Sequence, residues 1–260
     1  MVKSAIIAVP AKVGPEQRQA SGQAYKAAGL RVLRVVDEPT AAAVAYKLHK
    51  RSNIHHILVY DFGGGTLDVS LLYVSRGSVQ VYATDGDESL GGSDFDLCLY
   101  SHLLARLKKE HNFSPPRAAA QSTGHSGPST NLCSHSALQQ KAEQLKKDLS
   151  SLNKTTVACQ PFDVVGESAV ARGKLAEMDV TVEEFHTTCQ GLFDRGLAPV
   201  TRLLAELEMT PDHVDEVVLV GGTTRIPRVK QILRDFFQKE LNDHIDPDVT
   251  VAVGAATILD

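Results

Sequence analysis

No apolar run in this chain is long enough to cross a bilayer. The stretch from Met1 to Pro10 is too short and too weakly patterned for a signal peptide. A net charge of −4 over 260 residues leaves no broad positive field, so nucleic acid is not an expected partner. The four cysteines, Cys98, Cys133, Cys159 and Cys189, form no CxxC and no zinc spacing. That pattern predicts unpaired thiols and a reducing compartment. The ten histidines make no HExxH. Neither a Walker loop nor a GxGxxG fingerprint occurs, because the lysine and glycine spacings of both are missing. What the chain does have is 43% hydrophobic residues, enough to core one large domain or two small ones.

The stretch Ile57 to Leu72 carries the strongest pattern. Ile57 to Tyr60 reads as a buried strand and Val69 to Val74 as a second, with Gly63, Gly64 and Gly65 between them. Glycine supplies positive φ without steric cost and lets backbone approach a ligand closely. Successive backbone N–H groups in such a turn make a concave site for anions. Asp61 stands where the first strand ends, and Asp68 lies just past the turn. Carboxylates beside a phosphate cradle make sense when a hard, hydrated cation such as Mg²⁺ lies between them. The alternative is a hairpin whose glycines only turn the chain. A second element, Val217 to Val229, weighs against that alternative. There another apolar strand ends in Gly221-Gly222, hydroxyl residues follow, and Pro227 is placed to start a helix. Val229, Ile232, Leu233, Phe236 and Phe237 form that helix's apolar face.

Taken in order, the chain predicts a strand at Ala5–Val9, a helix at Pro15–Ala28 and a strand at Leu30–Val36. An alanine-rich helix from Ala41 to about Leu48 follows, with residues small enough for another helix to pack closely against it. Glu38 sits at the strand-to-helix turn, where α/β sheets carry ligand-binding groups. After the hairpin come a strand at Ser78–Thr84 and a helix beyond Leu90, with Phe95, Leu99, Leu103 and Leu107 on one face. Residues Ser114 to Ala137 are rich in Ser, Pro, Gly, Ala and Thr, without periodicity; they predict a flexible insertion and the first site of proteolytic nicking. A helix resumes at Ala142–Leu149, and Thr155 to Val170 suits short strands. Val182 to Leu207 is helical, with Pro199 expected to kink it or start a new helix. Asp246-Pro247-Asp248 caps a last helix, Val249 to Leu259. This order predicts an α/β architecture with mixed sheets and two lobes.

On these residues the sequence resembles the ATPase domain of the heat-shock protein 70 chaperones, within the wider actin, hexokinase and sugar-kinase fold. The segments that carry the resemblance are Ala8-Val9-Pro10-Ala11 with Gln17-Arg18-Gln19-Ala20, Leu33 to Ala43, Asp61 to Asp68, Leu90 to Asp96, Val217 to Pro227, and Asp246 to Ala256. It runs from Ala5 to Leu259 and lapses over Ser114 to Ala137.

The resemblance implies an actin/hexokinase/heat-shock-chaperone ATPase-like fold with the first lobe incomplete. It divides the chain into residues 1–50 (partial first lobe), 51–91 (second-lobe core with the phosphate loop), 92–182 (outer subdomain with the insertion at 114–137), 183–245 (second-lobe core with the adenosine motif) and 246–260 (returning helix of the first lobe). It implies ATP or ADP and Mg²⁺ as cofactors. Glu38, Asp61 and Thr66 would be catalytic, with Asp61 and Glu38 holding the metal through water. Gly63, Gly64, Gly65 and Thr66 would contact phosphates, supported by Asp68. Glu143, Lys146, Lys147 and Ser150 would meet ribose and adenine. Gly221, Gly222, Arg225 and Ile226 would line the other side, and Asp248 would close it. Implied partners are J-domain cochaperones and nucleotide exchange factors. Unfolded clients would be held by a domain outside these residues. The expected location is cytoplasmic, with the endoplasmic reticulum as the alternative.

There are departures from the family pattern. The first phosphate loop, with its Asp-x-Gly-Thr-Thr, and the family's catalytic lysine are not found in this sequence. Ser93 stands where the family usually has Glu, and Lys147 where it has an arginine that stacks on adenine. These departures leave open a non-hydrolysing module that binds nucleotide or a cochaperone. A sugar kinase of the same wider fold is a third reading, which the chaperone-like connecting segments oppose.

Overall fold

The computed structural model describes residues 3–115, 132–165 and 168–258. They fall into two compact units. The first comprises residues 1–92 and 194–260, and the second residues 93–193.

The first unit begins with β1 (Ser4–Val9), α1 (Pro15–Ala27) and β2 (Arg31–Asp37). β1 and β2 pair in parallel, with α1 as the crossover that parallel neighbours require. α2 (Glu38–Ala45) follows without a loop, so Glu38 opens a helix directly off a strand end. Next come β3 (His56–Phe62), β4 (Leu67–Ser75) and β5 (Ser78–Asp87). They form an antiparallel meander to which β10 (Glu216–Val220) adds in parallel beside β3. The sheet order is therefore β10-β3-β4-β5, a mixed sheet. Ile57, Leu58, Val59 and Tyr60 of β3 are all buried, as expected of a strand covered on both faces.

The second unit holds α3 (Gly92–His111) past its first residue, α4 (His135–Asp148), β6 (Lys154–Cys159), β7 (Phe162–Val165), β8 (Ser168–Ala171), β9 (Ala176–Thr181) and α5 (Val182–Thr188). β6 pairs antiparallel with β9, and β7 with β8. The expected face Phe95, Leu99, Leu103 and Leu107 is fully buried. Phe95, Phe185 and Phe193 cluster with ring centroids 4.9 to 6.1 Å apart. α6 (Gln190–Glu206) carries the chain back to the first unit, which ends with β10, α7 (Pro227–Phe237) and α8 (Thr250–Thr257).

Close packing on the alanine-rich helix occurs as expected, against α8. A Cβ built on Gly254 would lie 1.7 Å from the Ala41 carbonyl oxygen, so only glycine allows this approach.

Several expectations need correction. The break in the long helix falls at Cys189, not at Pro199. Pro199 lies inside α6, where burial of the proline together with Val200, Leu203 and Leu204 offsets its missing N–H. The cysteines are paired: Cys98 with Cys189, and Cys133 with Cys159, at Cα separations of 6.1 and 5.2 Å. Partners 91 and 26 residues apart leave no local spacing signal in a sequence. The expected insertion has residues 116–131 outside the described residues. Its C-terminal end is structured: Cys133 is buried, and the Ser134 hydroxyl caps α4 by accepting from the Ala137 N–H at 3.2 Å.

Candidate functional site

The turn between β3 and β4 is tightened by the Gly63 N–H donating to the Thr66 carbonyl at 3.0 Å. None of Gly63, Gly64 and Gly65 has positive φ, which corrects the reason given for them from the sequence. What they provide is open space. A Cβ on Gly64 or Gly65 would touch nothing within 4 Å, and both residues and Thr66 are exposed. Uncovered backbone is the useful property here.

The Gly63 carbonyl ties this turn to two others. It accepts from the Gly92 N–H at 3.0 Å and from the Thr223 hydroxyl at 2.8 Å. The Thr223 bond joins the two glycine turns directly. At the second turn Gly221 has φ of 83°, and a Cβ there would lie 2.4 Å from the Phe62 carbonyl oxygen and 2.8 Å from Asp61 Oδ1. The second turn thus packs against the end of β3, which carries Asp61. Gly222 faces Asp248, whose Oδ1 would be 3.0 Å from an added Cβ. Arg225 bridges Asp246 and Asp248 at 2.5 and 2.8 Å, and these bonds hold its guanidinium above its ordinary pKa. Ile226 is buried before α7.

Glu38, Asp61 and Asp68 line one small cleft of about 20 Å³ together with Lys12. That volume is close to one water molecule. Burial, then the charges of Glu38 and Asp68, push Asp61 up to about 7. Burial and the Asp68 charge likewise raise Glu38. Two carboxylates that resist ionisation, first because they are buried and then because of neighbouring acids, make a site where added positive charge would be stabilising. Among the described residues no cluster of acidic, His or Cys side chains is arranged to hold a metal directly. The donors are hard oxygens, the ligand type Mg²⁺ takes directly or through its waters, and the space between them holds about one water rather than a full hydration shell.

The remaining candidates belong to the second unit. Glu143, Lys146 and Lys147 lie on α4, and Ser150 lies just beyond it. Lys147 donates to Glu143 at 2.6 Å, and both are exposed. Lys146 pairs with Asp96 at 2.8 Å, and the Ser150 hydroxyl donates to the Lys146 carbonyl at 3.0 Å. Sequence reasoning missed Lys12 and Thr223. The hydroxyls after both glycine turns were a visible signal for Thr223.

An α/β chain with mixed sheets and strand-end glycine turns backed by carboxylates has the actin-like ATPase fold. The family model described as Hsp70 protein matches residues 1–260, and the chain belongs to the Hsp70 family. Membership brings the chaperone and ATP-binding character of that family with it.

Proposed function

We propose that this chain binds ATP and ADP with Mg²⁺ at the Gly63–Thr66 turn and hydrolyses ATP as the nucleotide-binding domain of a heat-shock 70 chaperone. The observation that carries the reading is the Thr223–Gly63 hydrogen bond, which sets the two glycine turns beside one carboxylate cluster. The exposed backbone of Gly64, Gly65 and Thr66 would receive the phosphate oxygens. Glu38 and Asp61 hold water: around the cation on one side, and oriented for attack on the other. Asp68 supports the turn. Gly221, Gly222, Arg225 and Ile226 face the nucleoside, with Asp248 behind Gly222. A bound Mg²⁺ supplies the charge that offsets the phosphate oxygens, and positioning supplies most of the rest.

J-domain cochaperones and nucleotide exchange factors are the partners that family membership makes the first to test. No helix among the described residues is long and apolar enough to cross a membrane. Between cytoplasm and endoplasmic reticulum, the two cysteine pairs fit the oxidising lumen better, because cytosolic thiols are kept reduced.

Calorimetric titration of ATP and ADP into the chain, with and without Mg²⁺, tests the reading. Mg-dependent binding of both supports it, and phosphate release then measures turnover. Binding without turnover would leave the non-hydrolysing module. No heat up to millimolar nucleotide would overturn the proposal.

A further inference from the structure

Lys12 lies in the loop between β1 and α1, and its Nζ sits 3.1 Å from Asp68 Oδ1. Among the described residues it is the only cation lining the cleft that Glu38, Asp61 and Asp68 share. The loop lays it across the end of the sheet: a Cβ on Gly86 of β5 would lie 2.8 Å from Lys12 Nζ. Its charge also reaches Asp85. Asp85, however, already has Arg202 at 2.9 Å, and Asp87 has Arg195 at 2.8 Å. The acids at the end of β5 are therefore served by their own arginines. Lys12 is left to the cluster beside the phosphate turn.

The pair that holds Lys12 is loose. The Lys12 and Asp68 side chains are 37% and 40% exposed. Ion pairs of that exposure contribute little to stability. A lysine on a flexible four-carbon stem can leave such a partner at little cost, and an ammonium binds phosphate oxygens as a point charge. An anion entering over Gly64 and Gly65 would meet three carboxylates and this one cation.

We propose that Lys12 is a phosphate-binding residue of this site, held on Asp68 while the site is empty and transferred to the terminal phosphate of ATP when nucleotide binds. Because it stands at the carboxylate end of the cleft, it discriminates ATP from ADP. This rests on the phosphate-turn reading above.

The test compares the full chain with Lys12→Ala and Lys12→Arg by titration of ATP and of ADP in Mg²⁺. Lys12→Ala is expected to weaken ATP about 10-fold, the size of one charge-assisted hydrogen bond, with ADP changed less than about 2-fold. Lys12→Arg is expected to restore most of the ATP affinity. Without nucleotide, Lys12→Ala should melt within about 2 °C of the parent, since the lost pair is exposed. Equal losses for ATP and ADP, or no loss of either, would overturn the role of Lys12 while leaving the phosphate-turn reading intact. A parent chain that binds neither nucleotide would overturn both.

Discussion

The two units treat buried charge and close contact differently. In the second unit several acids are matched. Lys146 pairs with Asp96, Lys154 with Asp179, and Arg106 reaches both Glu110 and Glu184, which also meets His102. Two cysteine pairs and a three-phenylalanine cluster add covalent and apolar restraint. In the first unit, Glu38, Asp61 and Asp68 share a single lysine, and two backbone turns meet through one hydroxyl. A unit that leaves carboxylates short of cations gives up stability where a ligand could restore it. A unit that satisfies its acids internally is built as a frame.

Breaking the frame should have the largest effect. Replacing Cys98 and Cys189 together by serine opens a crosslink between residues 91 apart, and chain entropy puts its worth at roughly 4–5 kcal/mol. Cys133 and Cys159, 26 apart, come to roughly 3–4 kcal/mol on the same basis. Urea unfolding with and without reductant measures both. A non-reducing peptide map in which these cysteines run as separate free peptides would remove the covalent half of the comparison. Next in size is Gly254→Ala in the first unit. The new Cβ would overlap the Ala41 carbonyl of α2, which is backbone and cannot swing aside, so a loss of about 3 kcal/mol or more is expected. Hydrogen exchange should rise over α2 and α8 and stay unchanged over α4.

Asp61→Asn tests the charge-starved half. Asp61 ionises near pH 7 in the fold against an ordinary value of 3.8, so the folded chain holds this proton more tightly than the unfolded chain. Below about pH 4 both states are protonated and the acid costs nothing. Stability then falls as pH rises through that window, and the full penalty applies above pH 7. Asparagine carries no such penalty. In buffer without divalent cations the variant should match the parent at pH 4 and exceed it by about 2 kcal/mol at pH 8, after allowing for partial solvent access. Equal stabilities across the range would mean that the cluster is not short of charge. In the same variant, Mg-dependent nucleotide affinity should drop.

The hairpin and both glycine turns were legible because each is a local event, an apolar run ended by glycine. So was the apolar face of α7, where Val229, Leu233 and Phe237 are buried at helical spacing. The parts that could not be read locally are contacts between distant positions. Cys98 meets Cys189, Lys12 meets Asp68, and Thr223 meets Gly63 only once the sheet has set their distances. Local chemistry also misled in part: no new helix starts at Pro199, which lies within α6, and Gly63, Gly64 and Gly65 do not adopt positive φ, although Gly64 and Gly65 leave the backbone uncovered. The strand Ala176–Thr181 was legible but escaped notice: Ala176, Met178 and Val180 alternate with polar residues and are buried.

The smallest effect should come from Thr223→Val, which removes the one hydroxyl tying the two glycine turns and keeps the shape. The Gly63 carbonyl would retain its bond from the Gly92 N–H, so no buried acceptor is orphaned and the loss should be about 1 kcal/mol. The more telling readout is local. Amide exchange at Gly63, whose N–H is bonded to the Thr66 carbonyl, should quicken while the rest of β3 and β4 stays protected, since Val59 and Tyr60 remain paired with Ser70 and Val69. If exchange at the turn is unchanged, the Gly92 bond fixes its position, and the packing of Gly221 against Phe62 and Asp61, not the Thr223 hydroxyl, links the two turns.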